Sequence, residues 1–140
     1  LLLHDVSWRA HPNYRAEVCF DNATRANLGG LKHAERVFLG LALMYRYTNK
    51  RSGTRFDDMA TLVPPKSQTE AEILGKAMRL GAMLWIRPDA QMAALDWQPK
   101  KKRLTLRLGS DAAPLYNEVA EARFQSLAGA LGATGKVTVD

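Results

Sequence analysis

Cysteine is almost missing: Cys19 is the single one among 140 residues. One thiol excludes an intrachain disulfide and any multi-cysteine metal motif, and it fits a reducing compartment, so a cytoplasmic location is expected. Histidine is scarce too, with three residues, His4, His11 and His33, none in HxxxH or HExxH spacing. No apolar run in the sequence approaches the roughly 20 residues that a membrane-spanning helix needs. Internal repeats and low-complexity stretches are also lacking. There is no initiator Met, so the chain is expected to begin inside a helix, and the lack of a signal-peptide pattern carries no weight. Acidic residues are the minority: 14 Asp and Glu face 20 Lys and Arg, a net charge of +6. Such a surface attracts polyanions. Hydrophobic content of 46% is ordinary for a globular protein and is enough for one compact domain, or one plus a small appendage.

The first ninety residues read as helical. Residues 13–28 predict a helix with Tyr14, Val18, Ala23 and Ala26 inward, stopped by Gly29-Gly30. Residues 32–47 predict a helix that is apolar on nearly all sides, the mark of a central position in a bundle. A basic loop follows over 48–54, then a short turn over 56–62 before Pro64-Pro65 breaks the chain. Ser67-Gln68-Thr69-Glu70 has the spacing of a capping box. The helix it opens carries Ile73, Leu74, Ala77, Leu80, Gly81, Leu84 and Trp85 on one stripe and ends before Pro88.

After Pro88 the period changes. Leu95-Asp96-Trp97 predicts a strand and Pro99-Lys100-Lys101-Lys102 its turn. Leu104-Thr105-Leu106-Arg107-Leu108 alternates with period two, so one face is buried and the other wet. Ser110 or Asp111 is expected to cap a helix with Pro114 in its first turn and Tyr116, Ala120, Phe124, Leu127 and Leu131 on its stripe. Gly132 and Gly135 end it, and residues 136–139 return as a strand. The expected fold is therefore mainly α, α+β overall: a helical domain over 1–90 and a small mixed β-β-α-β tail over 91–140.

The order of landmarks carries a resemblance. Leu2-Leu3-His4-Asp5 and His11-Pro12-Asn13-Tyr14 come first, then the Gly29-Gly30 break and the apolar helix ending in Tyr45-Arg46-Tyr47-Thr48-Asn49-Lys50. Lys76-Ala77-Met78-Arg79-Leu80-Gly81-Ala82-Met83-Leu84 and the strand Leu104 to Leu108 complete the series. In that order the whole chain resembles the C-terminal, HD-like half of the bacterial exopolyphosphatase and guanosine pentaphosphate phosphohydrolase family. The resemblance implies a parent that releases terminal phosphate from inorganic polyphosphate or guanosine pentaphosphate. It implies an upstream actin-like module holding the catalytic carboxylate and a divalent metal, magnesium. It also implies a homodimer. No phosphate-binding glycine loop occurs in this chain, since Gly29-Gly30 stands between helices and not after a strand. The chain alone is expected to be inactive and to hold no catalytic residue and no cofactor.

The same resemblance raises the question of an HD metal site, which His4 and Asp5 would begin. Such a site also needs a histidine upstream of Leu1 and an Asp in the segment Arg79 to Ala82, where Ala82 stands instead. Two ligands leave a cation mostly to water, so His4 and Asp5 are expected to be a degenerate pair and no metal is assigned. His11 and His33, Cys19, and the adjacent Asp57-Asp58 form no catalytic arrangement. Cys19 is expected to fill apolar space.

Two basic clusters remain as candidates for a phosphate chain: Arg46, Lys50, Arg51 and Arg55 around the loop, and Lys100, Lys101, Lys102 and Arg103 in the hairpin turn. Spaced cations along a groove can neutralise a linear polyphosphate without a shaped pocket. A stand-alone HD-type metal-dependent nucleotide phosphohydrolase is the second reading. A basic nucleic-acid-binding module is the third, and it lacks any helix-turn-helix, RNA-recognition or zinc motif.

Overall fold

The computed structural model describes residues 7, 9–50, 54–87 and 92–140, and for Thr54 and Arg55 the backbone alone. The chain divides into two compact units, with the division between Met78 and Arg79.

In the first unit a 3-10 turn, Pro12–Tyr14, leads into α1, Arg15–Arg25, followed by α2, His33–Tyr47, and α3, Thr54–Ala60. α1 buries Cys19, Phe20 and Ala23, one stripe at helical spacing. Tyr14, expected inward, is 59% exposed instead. It belongs to the 3-10 turn, which changes the phase before α1 begins, and its ring lies beside His11 at 6.0 Å between centroids. The helix also stops earlier than expected, because Ala26 turns extended at ψ 137°.

α2 is the centre of this unit. Val37, Gly40, Leu41, Ala42, Leu43, Met44 and Tyr45 are all buried, as the apolar run predicted. Its start is fixed by the Lys32 amide, which donates to the Glu35 carboxylate at 2.6 Å. On the side facing α1, Gly40 leaves room for Phe20, whose Cδ2 would stand 3.0 Å from an added β-carbon. Phe20 in turn meets Phe56 of α3 edge-on, with centroids 5.1 Å apart. Cys19 sits with Ala23 and Leu43 in an apolar cluster.

α4, Pro65–Leu84, is the longest helix and crosses the division between the units. Pro64 and Pro65 open it rather than break the chain before it. The Gln68 amide donates to the Pro64 carbonyl at 3.0 Å, and Pro65 occupies the first helical position, where a missing N–H costs nothing. The expected capping box therefore does not form: Ser67 lies inside the helix, and Glu70 faces Lys66 at 3.9 Å. The buried line also differs from the expected stripe. Leu80 and Leu84 are buried as anticipated, but Leu74 and Trp85 are exposed, and Ala71, Gly75 and Lys76 are buried in their place. Small residues let this helix approach α2 closely, so contact runs through Ala71 and Gly75 and not through the bulkiest side chains.

The second unit contains a three-stranded sheet of order β1-β2-β3. β1, Ala93–Gln98, runs antiparallel to β2, Arg103–Leu108, and β3, Thr134–Val139, runs parallel to β2. α5, Glu118–Ala130, makes the crossover that a parallel pair requires. Leu104, Leu106 and Leu108 are buried on one face of β2, with Gly135, Val137 and Val139 beside them on β3. α5 packs on that face through Phe124: a β-carbon at Gly135 would come within 2.9 Å of the Phe124 ring. The helix starts later than expected. Asn117, not Ser110 or Asp111, caps it, its Oδ1 accepting from Val119 and Ala120, each at 3.0 Å. Pro114 sits in a separate 3-10 turn, Ala113–Leu115. At the other end Gly132 adopts φ +61°, while Ala133 and Gly132 donate to the carbonyls of Ala128 and Gly129. This is the paired closure that a left-handed glycine allows. The architecture is mainly α, with a small mixed β-β-α-β tail, as expected from the sequence.

Candidate functional site

The basic loop follows directly from how α2 ends. Thr48 turns extended, and its hydroxyl donates to the Lys50 carbonyl at 3.1 Å, a local turn that projects residues 49 and 50 off the helix. Lys50 is exposed between two clefts of this unit. The larger, about 580 Å³, is lined by Tyr45, Asn49, Lys50, Asp57, Gln68 and Glu72, among others. The smaller, about 180 Å³, has Glu17, Tyr47 and Lys50 among its walls. Arg46 is half-buried, its guanidinium 5.0 Å from the centre of the Tyr47 ring, a cation–π contact. Arg51 lies outside the described residues, and so does the side chain of Arg55, as do His4 and Asp5. Of the first expected cluster, the structure therefore places Lys50 at open clefts and Arg46 on an aromatic ring. Carboxylates share those clefts: Asp57 and Glu72 in one, Glu17 in the other.

Sequence reasoning overlooked Gln68 and Lys76. The Gln68 side-chain amide donates to the carbonyls of Ala60 and Val63, at 2.8 and 2.9 Å, and so fastens the end of α3 to the start of α4. Lys76 is 8% exposed and meets Glu72 at 2.5 Å. A buried ammonium needs such a partner, because desolvation without one is costly. No pattern in the sequence marks a lysine four residues after a glutamate as buried rather than solvated.

The second expected cluster is placed in full. Lys100 and Lys101 lie in a 3-10 turn, Pro99–Lys101, Lys102 follows it, and Arg103 opens β2; all four side chains are exposed. Lys102 adopts φ +45°, the left-handed region that disfavours a β-carbon, and its amide donates to the Pro99 carbonyl at 3.2 Å. Its own carbonyl accepts from Thr134 at 2.8 Å, tying the turn to β3. The turn thus holds four consecutive cations on a braced frame.

At the base of the same unit the Tyr116 hydroxyl donates to the Glu121 carboxylate, and Gln125 donates to its other oxygen at 2.7 Å. Glu121 is held below the usual carboxylate range, first by Tyr116 and then by Gln125. Burial pushes Tyr116 up, and the Glu121 carboxylate adds to that. These groups order the first turn of α5.

For a metal, the segment of α4 where an HD site would need its later aspartate offers only Ala82, which is exposed and has no donor atom. Among the described residues no three His, Cys, Asp or Glu converge. Nor, among the described residues, is any helix long and apolar enough to cross a membrane.

The features together define a mainly helical domain with a small mixed sheet and an exposed basic hairpin. The family described as "Exopolyphosphatase, C-terminal" matches residues 1–137 of this 140-residue chain. The chain belongs to that family. Comparison with curated proteins found no match.

Proposed function

We propose that this chain is the substrate-binding and dimerisation domain of a cytoplasmic phosphohydrolase that removes terminal phosphate from inorganic polyphosphate. Guanosine pentaphosphate is the alternative substrate of such a parent. In this reading a separate actin-like module with its divalent metal performs the hydrolysis, and this chain supplies positive charge along the path of the phosphate chain. The observation that carries it is the hairpin: Lys100, Lys101, Lys102 and Arg103, all exposed and consecutive on a turn braced against β3. Lysines give unshaped positive charge, which suits a polymer that must slide, while Arg103 can grip two phosphate oxygens at once. Lys50 adds a cation in the first unit, and Arg46, Arg51 and Arg55 remain candidate phosphate-binding residues by sequence.

The test is binding of long-chain polyphosphate to the 140-residue chain across a salt series. Changing Lys100, Lys101, Lys102 and Arg103 together to Gln should weaken binding by about tenfold or more and flatten its salt dependence. Equal binding by the variant would overturn the reading of the hairpin. Tighter binding of guanosine pentaphosphate than of long polyphosphate would favour the alternative substrate.

A further inference from the structure

α5 covers one face of the sheet, and the register defines what stands on the other. Cross-strand partners share a face, so opposite the buried leucines of β2 lie Arg103, Thr105 and Arg107. Beside them come Thr134, Lys136 and Thr138 on β3, and Ala94, Asp96 and Gln98 on β1. Arg103, Arg107 and Lys136 are exposed. None of the three is in an ion pair among the described residues.

Their placement makes a line. Arg103 and Arg107 are four residues apart on β2, so their Cα atoms stand about 13 Å apart at ~3.3 Å per residue. Lys136 pairs with Thr105, midway between them, one strand over. A cation therefore recurs roughly every 8 Å, from steps of ~3.3 Å along and ~4.8 Å across the strands. The line begins at Arg103, where the lysine turn ends. It finishes at a hollow of about 310 Å³ lined by Ala93, Ala94, Arg107, Gly109 and Asp140. One acid borders the line: Asp96 pairs with Thr105 on the side opposite Lys136, and its carboxylate accepts from the Gln98 amide at 3.1 Å, while Asp140 sits beyond Arg107 at the end.

We propose that this open sheet face is the continuation of the phosphate-chain track, with Arg107 and Lys136 as binding residues that extend it beyond the hairpin. The inference rests on the polyphosphate reading above and adds a length and a direction to it. The occupant is a linear polyphosphate. A single-stranded nucleic acid would need aromatic platforms for its bases, and this face has none: Trp97 pairs with Leu104 and shares the opposite side. The hydroxyls of Thr105, Thr134 and Thr138 lie between the cations and can donate to phosphate oxygens.

The test compares Arg107→Gln combined with Lys136→Gln against the unaltered chain, with a long polyphosphate and with tripolyphosphate as probes. Both residues are exposed, so the melting temperature should stay within about 2 °C. Affinity for the long chain should fall by about fivefold while that for tripolyphosphate stays within about twofold, since a short ion reaches only the hairpin. Unchanged affinity for the long chain overturns this proposal while leaving the hairpin reading intact. An equal loss for both probes overturns it too, because it would show a single site and not an extended track. If the unaltered chain binds no polyphosphate, both readings fall. A single-stranded oligonucleotide that binds as tightly as polyphosphate would overturn the choice of occupant.

Discussion

Gly75 of α4 faces Tyr45 of α2 so closely that a β-carbon on the glycine would overlap Tyr45 Cβ and the Ala42 carbonyl oxygen. The obstacle is partly backbone, so a rotamer change cannot relieve it. Alanine is the better helix former by about 1 kcal/mol, yet Gly75→Ala should destabilise the protein by roughly 1–3 kcal/mol through overpacking. Urea unfolding checks the sign. A stabilised variant would mean that the two helices can separate freely.

Asn117 and Ser110 form a matched pair for testing where α5 starts. Asn117→Ala removes the acceptor for two helix amides and should cost about 1 kcal/mol. Ser110→Ala, at the position that the sequence favoured, should stay within about 0.5 kcal/mol, as an exposed substitution does. Thermal unfolding of both variants distinguishes the two starts.

Acid should act through Glu121. Its folded-state pKa is lowered, so the unfolded chain binds its proton first as pH falls. The contribution is therefore present above the ordinary carboxylate pKa and is lost as pH drops through the folded value. Tyr116→Phe removes the principal donor to Glu121 and should cost about 1 kcal/mol at neutral pH. It should also flatten the decline of stability between pH 5 and 3, about one unit either side of a carboxylate's usual range. A parallel decline in both proteins would assign the acid response to other groups.

The Lys76–Glu72 pair should respond asymmetrically. Glu72→Gln removes the carboxylate that faces the buried Lys76 ammonium, whereas Lys76→Met removes the buried charge and leaves a carboxylate that is 31% exposed. The first should cost about 2 kcal/mol or more and the second less. Chemical denaturation of the two single variants decides the order.

Lys102 tests a conflict between stability and charge. Its φ of +45° suits glycine, so Lys102→Gly should stabilise the chain by about 1 kcal/mol while weakening polyphosphate binding. Paired melting and binding measurements on one variant read both effects.

Much of the fold is legible in the sequence. The apolar ring of α2 and the alternation of β2 announced their own burial, because a helix apolar all round has no wet side to offer and a period of two has only one. The β-β-α-β order followed from turn chemistry at Pro99 and Gly132. The wet face of β2, with Arg107 on it, was also implied by the alternation, although Lys136 could join it only once β3 had a register.

The rest depended on distance. Whether Pro64-Pro65 ends a helix or opens one turns on which carbonyl the Gln68 amide finds. Which side of α4 meets α2 turns on how near α2 comes, and Ala71 and Gly75 permit an approach that Leu74 would prevent. Periodicity states which residues share a side of one helix or strand; only the packed neighbour determines which side faces inward, and so where Lys76, Asn117 and the cations of the sheet come to stand.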